Sequence, residues 1–235
     1  MMLDIIFEDS EILVVRKPAG IESQSGKSLA MDMVSLIKNE LVFRQRKFGK
    51  QGMREPYIGV IHRLDRPVSG VMVYAKTPAA AAELSRQVQQ HKMQKRYYAL
   101  LCDKPKECRG TLTDYLVHDK KNNRSYIVKK DKVDDAKAKK AILQYEMAEE
   151  DFFHGFDFIQ QKELKHATYL VDIRLITGRH HQIRVQFANI GCPLWGDTKY
   201  NPEWIGKKGM TGIGLCAYEL TFLHPKTKKE MTFHY

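Results

Sequence analysis

The residue pattern predicts an α+β fold, a mixed, largely antiparallel β-sheet with flanking helices. Three observations predict it. Short apolar runs of strand character dominate the chain. The helical stretches fall between them at irregular intervals, not in a regular β-α-β series. No repeat or low-complexity linker interrupts 235 residues with 43% hydrophobic content, so a single domain over residues 1–235 is the economical reading.

The elements follow in order. IIFE and ILVVRK flank the acidic turn EDSE and read as a hairpin, stopped at Lys17-Pro18-Ala19-Gly20. Ser28 is placed to cap a helix whose apolar face carries Met33, Ile37 and Leu41. RQRKFGKQGMREP, residues 44–56, reads as a basic loop, either an RNA contact or simply solvated. HRLDRPVSG at 62–70 leads into a strand at 71–75, and Thr77-Pro78 then opens a helix with Leu84 and Val88 on its buried stripe. YYALLC at 97–102 is the next strand. Residues 119–140 hold nine basic and four acidic residues around a short SYIV core, which suggests a basic hairpin. YLVDIRL at 169–175 alternates as a half-buried strand should. It feeds TGRHHQIRVQFANIG, a helix with Ile183, Phe187 and Ile190 inside and Gly191 at its end. GLCAYELTF and EMTFH, joined by HPKTKK, are the last strands.

The balance is basic: 39 Lys plus Arg against 28 Asp plus Glu, net charge +11. Such a surface attracts polyanions, nucleic acid first among them. Cys102, Cys108, Cys192 and Cys216 have no zinc-site spacing and read as reduced thiols. The N-terminus carries acids where a signal peptide needs bases, and no apolar run reaches membrane-spanning length. A soluble, cytoplasmic protein is expected.

Three stretches resemble sites of other classes. GIESQSGKS at 20–28 ends like a phosphate loop. It has five residues between its glycines where the P-loop needs four, and Glu22 would repel phosphate. His180-His181 are adjacent, about 100° apart on a helix, and do not converge on a metal. GMTGIG at 209–214 precedes a strand and reads as a loop.

The segments HRLDRPVSG, KRYYALL and TGRHHQIRV hold the residue types that carry chemistry, each at a strand end or helix start. They resemble the motifs of the pseudouridine synthases, in the branch typified by the RluA family, which modifies ribosomal RNA and tRNA. The matching residues are Asp65 in the first motif, Lys95-Arg96-Tyr97 in the second and Thr177 to Arg184 in the third. Gly191-Cys192-Pro193-Leu194-Trp195-Gly196-Asp197 with Tyr200 follows. VVRKPAG and LHPKTKKE match in kind and order, so the resemblance spans nearly the whole chain. Val68 and His180 stand where the family often has Thr. No separate S4-type RNA-binding domain is expected before the first family strand, and the catalytic domain itself, or the basic stretch at 119–140, is expected to grip the RNA.

The resemblance implies the pseudouridine synthase catalytic fold and an intramolecular isomerisation, breaking N1–C1′ of uridine and joining C5 to C1′. Neither redox cofactor, ATP nor metal is required. Asp65 is the implied catalytic carboxylate, able to attack C1′ or C6 or to remove a ribose proton. Arg184 is the implied charge partner that keeps it ionised. Tyr97 is expected to stack on the uracil, and Val185 to form an apolar wall. Arg63, Arg66, Arg179, His181 and Gln182 are expected to contact RNA, whose target nucleotide must be flipped out of the stack. Lys95 reads as a solvated strand end. The expected partner is RNA, with no obligatory protein partner and a monomer as the default. The alternative from another class is a non-catalytic RNA-binding or ribosome-assembly protein on the same fold, which would tolerate loss of Asp65.

Overall fold

The computed structural model describes residues 3–25, 31–47, 55–129, 137–148, 156, 159 and 169–235. The expected cap at Ser28, the middle of the basic loop at 44–56 and part of the stretch at 119–140 lie outside the described residues. Backbone contacts gather into two compact units, Met1–Met93 with Glu219–Tyr235, and Gln94–Tyr218.

In the first unit, β1 (Asp4–Glu8) and β2 (Ile12–Lys17) form the expected hairpin. Its turn is fixed by Asp9, whose carboxylate accepts the N–H groups of Glu11 and Ile12 at 2.8 Å. β2 pairs antiparallel with β4 (Ser69–Ala75), setting Lys17 opposite Gly70. The short β3 (Gly59–Val60) also pairs with β4, and β11 (Glu230–His234) closes on the end of β10 (Leu215–Leu223). Ile12, Val14, Val71, Val73, Leu220 and Phe222 project into one core under α2 (Pro78–Gln89), which adds Ala80 and Leu84.

The start of α2 is built as its sequence predicts. Thr77 is extended, and its hydroxyl accepts the Ala80 N–H at 3.1 Å, with proline first in the helix. Thr77→Ala is expected to lower stability by about 1 kcal/mol, read from the urea midpoint at unchanged slope.

Helix α1 (Met33–Lys47) buries Met33 and Ile37, as the pattern predicts. It also takes in Arg44 to Lys47, which the sequence placed in a loop. Basic residues favour the last turn of a helix, and Arg44 pairs with Glu40 one turn back and with Glu8.

In the second unit β10 begins beside β5 (Gln94–Leu101), followed across the sheet by β9 (Tyr169–Leu175), β8 (Lys139–Met147), β6 (Arg109–Asp119) and β7 (Arg124–Val128). The ladders β5–β9, β9–β8, β8–β6 and β6–β7 are all antiparallel. The basic hairpin expected around SYIV is the β6–β7 turn, but β6 and β8 extend well beyond it. Helix α3 (Gln182–Asn189) buries Ile183 and Phe187 and ends at Gly191, whose φ of +78° suits glycine. Ile190, expected inside, is the helix cap and is 38% exposed. The architecture is the expected α+β one, mixed and mostly antiparallel.

Candidate active site

In the first unit, Asp65 sits on the loop between β3 and β4. Its neighbours Leu64 and Val68 are buried, which anchors the loop on both sides, while Arg63 and Arg66 are exposed. Asp65 itself is half-buried. A turn closes beneath it, with the Val68 N–H donating to the Asp65 carbonyl at 3.0 Å.

The loop is clamped to the segment that follows β2. Ser23 Oγ donates to the Leu64 carbonyl at 2.8 Å and accepts the Leu64 N–H at 3.0 Å. Arg66 Nε donates to the Gly20 carbonyl at 2.9 Å, and Gly20 N–H returns a bond to the Arg66 carbonyl at 2.8 Å. His62 Nε2 accepts the Val73 N–H at 3.3 Å, which ties the ring to β4.

At the centre of the clamp is Lys17, fully buried. Its ammonium donates to the carbonyls of Pro18, Ile21 and Arg66 at 2.9, 2.7 and 3.2 Å. Three donors meet three acceptors, so the charge is satisfied without water. Burial pushes the amine down to about 7, and the negative charge of Asp65 opposes that fall. The sequence signalled this residue only as the lysine that ends an apolar strand before proline.

The sign of the pH effect follows. The unfolded lysine holds its proton up to its ordinary value of 10.5, while the folded one releases it near 7. Between these values the unfolded chain binds more protons, so stability rises with pH. Lys17→Met is expected to shrink this rise to the part the buried Lys95 amine contributes, seen as urea midpoints at pH 7 and 9.5 that lie closer together than those of the wild type.

In the second unit, Tyr97 is buried on β5 opposite Ile173. Next to it Arg96 forms an ion pair with Asp172, which also accepts the Tyr218 hydroxyl at 2.9 Å. Tyr98 stacks on Tyr218 with ring centroids 4.0 Å apart. Lys95 is half-buried, not a solvated strand end, and burial pushes its amine down to about 8.

Arg184, on α3, is 3% exposed. Its Nε and Nη2 grip both oxygens of Asp197, at 2.8 and 2.7 Å. Asp197 Oδ1 also accepts the N–H groups of Lys199 and Tyr200. Burial pushes the Asp197 carboxyl up, but the Arg184 bonds and charge, with the two backbone donors, outweigh it and hold it below the ordinary carboxylate value. The guanidinium of Arg184 also lies 5.3 Å from the Tyr200 ring centre. Asp197 and Tyr200 belong to a motif that sequence reading noticed without giving either a role.

The remaining expected residues cluster around the start of α3. Gln182 Oε1 accepts from the Thr177 hydroxyl and the Arg179 N–H at 2.8 and 3.0 Å, closing the turn before the helix. Arg179 Nε donates to the Lys140 carbonyl at 3.0 Å. His181, at φ +54°, meets the Tyr200 hydroxyl through Nδ1 at 2.8 Å. Val185 packs with Leu116 and Ala141. His180 stacks between His118 and His181, and no group of three or more His, Cys, Asp or Glu side chains placed to hold a metal occurs among the described residues. No described helix is long and apolar enough to cross a membrane.

The profile of the RNA pseudouridylate synthase family matches residues 11–189. The chain is 31% identical over 242 residues to the ribosomal large subunit pseudouridine synthase D of Zymomonas mobilis, covering 98% of this chain and 68% of that protein. It is 29% identical to an uncharacterized RNA pseudouridine synthase of Aquifex aeolicus, with the same coverage. Among solved structures, human RNA pseudouridylate synthase domain containing 4 superposes with a TM-score of 0.70 at 20% identity, over 99% of this chain and 87% of that one. The fold, the ordered motifs and the profile agree: the chain belongs to the RNA pseudouridylate synthase family, isomerases that convert uridine to pseudouridine in RNA.

Proposed function

We propose that this chain isomerises specific uridines of large-subunit ribosomal RNA, with Asp65 as the essential carboxylate. The observation that carries the reading is the Asp65 loop. A half-buried acid is held there by Lys17 and Ser23 and flanked by two exposed arginines. A carboxylate that must meet a flipped nucleotide needs such fixed placement more than it needs depth.

The ring of Tyr97 serves as the stacking surface for uracil, and Arg184, fixed by Asp197, as the arginine that supports the reaction. Arg63 and Arg66 take phosphates on either side of the target. Arg179, His181 and Gln182 shape the turn that presents Arg184, and Val185 gives it an apolar neighbour. The chemistry is redox-neutral and moves one proton from C5 to N1, so the protein's own side chains suffice. The ribosomal substrate is favoured over tRNA by the names of relatives, synthases C and D of the ribosomal large subunit. The protein acts as a cytoplasmic monomer in this reading.

The test uses purified protein with unmodified large-subunit ribosomal RNA and, separately, unmodified tRNA. Pseudouridine at discrete ribosomal positions is the expected result. Modification of tRNA alone would overturn the ribosomal assignment.

A further inference from the structure

The β6–β7 hairpin and the end of α3 border an open groove of ≈ 620 Å³ within the second unit. That volume is in the range that takes a nucleoside-sized ligand, about 300–1,000 Å³. It is lined by the apolar Ile127, Val185 and Ala188 and by Arg124, Tyr126, Asn189 and Tyr200.

We infer that this groove, whose lining residues Val185 and Tyr200 adjoin Arg184, receives one unpaired base of the bound RNA in addition to the uridine being modified. The inference rests on the reading of RNA as substrate and adds a second nucleotide site to it. Three features point to a base. Tyr126 is 49% exposed, an aromatic face turned to solvent on a hairpin that has no need of it for its core. An exposed ring among the lining residues offers a stacking surface, which every base can use. Asn189 is exposed at the end of α3, and its side-chain amide offers both donor and acceptor to a base edge. Arg124 spends one N–H group on the Lys199 carbonyl and lies 5.3 Å from the Tyr200 ring centre, so a fixed guanidinium lines the groove.

Charge separates base from phosphate. Asp119 also lines the groove, and its carboxylate is committed to the turn, accepting the N–H groups of Lys121 and Asn122. An acid inside disfavours a phosphate there. Outside, Lys120, Lys121 and Arg124 on the same turn and Lys199 beside it supply the cations for the flanking phosphates. A single strand is required, because a paired base cannot leave its stack to enter.

The test compares wild type with Tyr126→Ala and Asn189→Ala by fluorescence anisotropy, using a labelled single-stranded RNA of mixed sequence and the same RNA as a duplex. Both residues are exposed, and equal melting temperatures will show that the fold is kept. Tyr126→Ala is expected to weaken single-strand binding about tenfold. Duplex binding should change less than about twofold, because the lost contact is to a base and not to the backbone. Turnover at saturating substrate should stay at the wild-type value, with KM raised. Unchanged single-strand affinity in both variants would overturn the inference. So would an equal loss on the duplex, which would make the hairpin a backbone contact. The proposed function fails separately: wild type that binds RNA without forming pseudouridine loses the enzyme reading while the two binding curves still decide the groove.

Discussion

Asp65→Asn is expected to abolish pseudouridine formation, lowering turnover at least about a thousandfold, while the protein folds and binds RNA as before. The structure explains why the fold should survive. Asp65 is half-buried, and the loop around it is anchored by neighbours, through Ser23 to Leu64, Lys17 to Arg66 and the buried Val68. None of these bonds uses the Asp65 carboxylate. Its charge acts on Lys17, where it holds the amine up. The asparagine variant should therefore release the Lys17 proton at a lower pH. Circular dichroism and RNA titration would check the fold and binding, and a rate assay the chemistry.

The second large effect concerns Arg184. Its bidentate pair with Asp197 is buried on both sides. Removing one partner of such a pair strands the other charge in a low-dielectric site and costs about 3–5 kcal/mol. Asp197→Ala and Arg184→Ala should both lose this much in urea unfolding. Arg184→Lys should not rescue, because an ammonium cannot make the two parallel bonds of a guanidinium. The pair's contribution is present above the ordinary carboxylate value of 3.8 and is lost as pH falls through the lower folded value of Asp197.

Stability and catalysis can be separated at this pair. Replacing both partners by apolar residues, Arg184→Met with Asp197→Leu, should recover most of the lost stability, since no charge is then left buried. If Arg184 supports the reaction, the double variant will be folded, bind RNA within about threefold of wild type and form no pseudouridine. A folded and active double variant would make Arg184 structural only.

Where local chemistry sets an element, the sequence was legible. Thr77-Pro78 capped a helix and Gly191 ended one, because hydroxyl, ring and missing Cβ act within a few residues. The apolar runs of β2, β4 and β10 read directly as buried strands. Strands β6 and β8 were harder, although Ala141, Leu143 and Tyr145 alternate inward, because charged residues surround them. Arg44 to Lys47 read as loop for their charge, yet their helix is supported by Glu40 and Glu8, the latter distant in sequence.

The site divides in the same way. Asp65, Tyr97 and Arg184 are candidates from the motifs, since their residue types suit the proposed chemistry. Lys17 could not, because its role lies in three backbone carbonyls brought together by folding. Lys95 looked solvated for the same reason: burial of a lysine is decided by what packs over it. Asp197 stood in a recognised motif, but its contact with Arg184 depends on how the chain returns after α3.

The most direct test of the central claim is release of tritium from RNA labelled at uridine C5, with purified wild type beside Asp65→Ala. C5 must shed its hydrogen when it bonds to C1′. Release by the wild type and none by the variant is the expected result. Equal release by both, or none by wild-type protein that binds RNA carrying unmodified uridine at the candidate sites, would contradict the account.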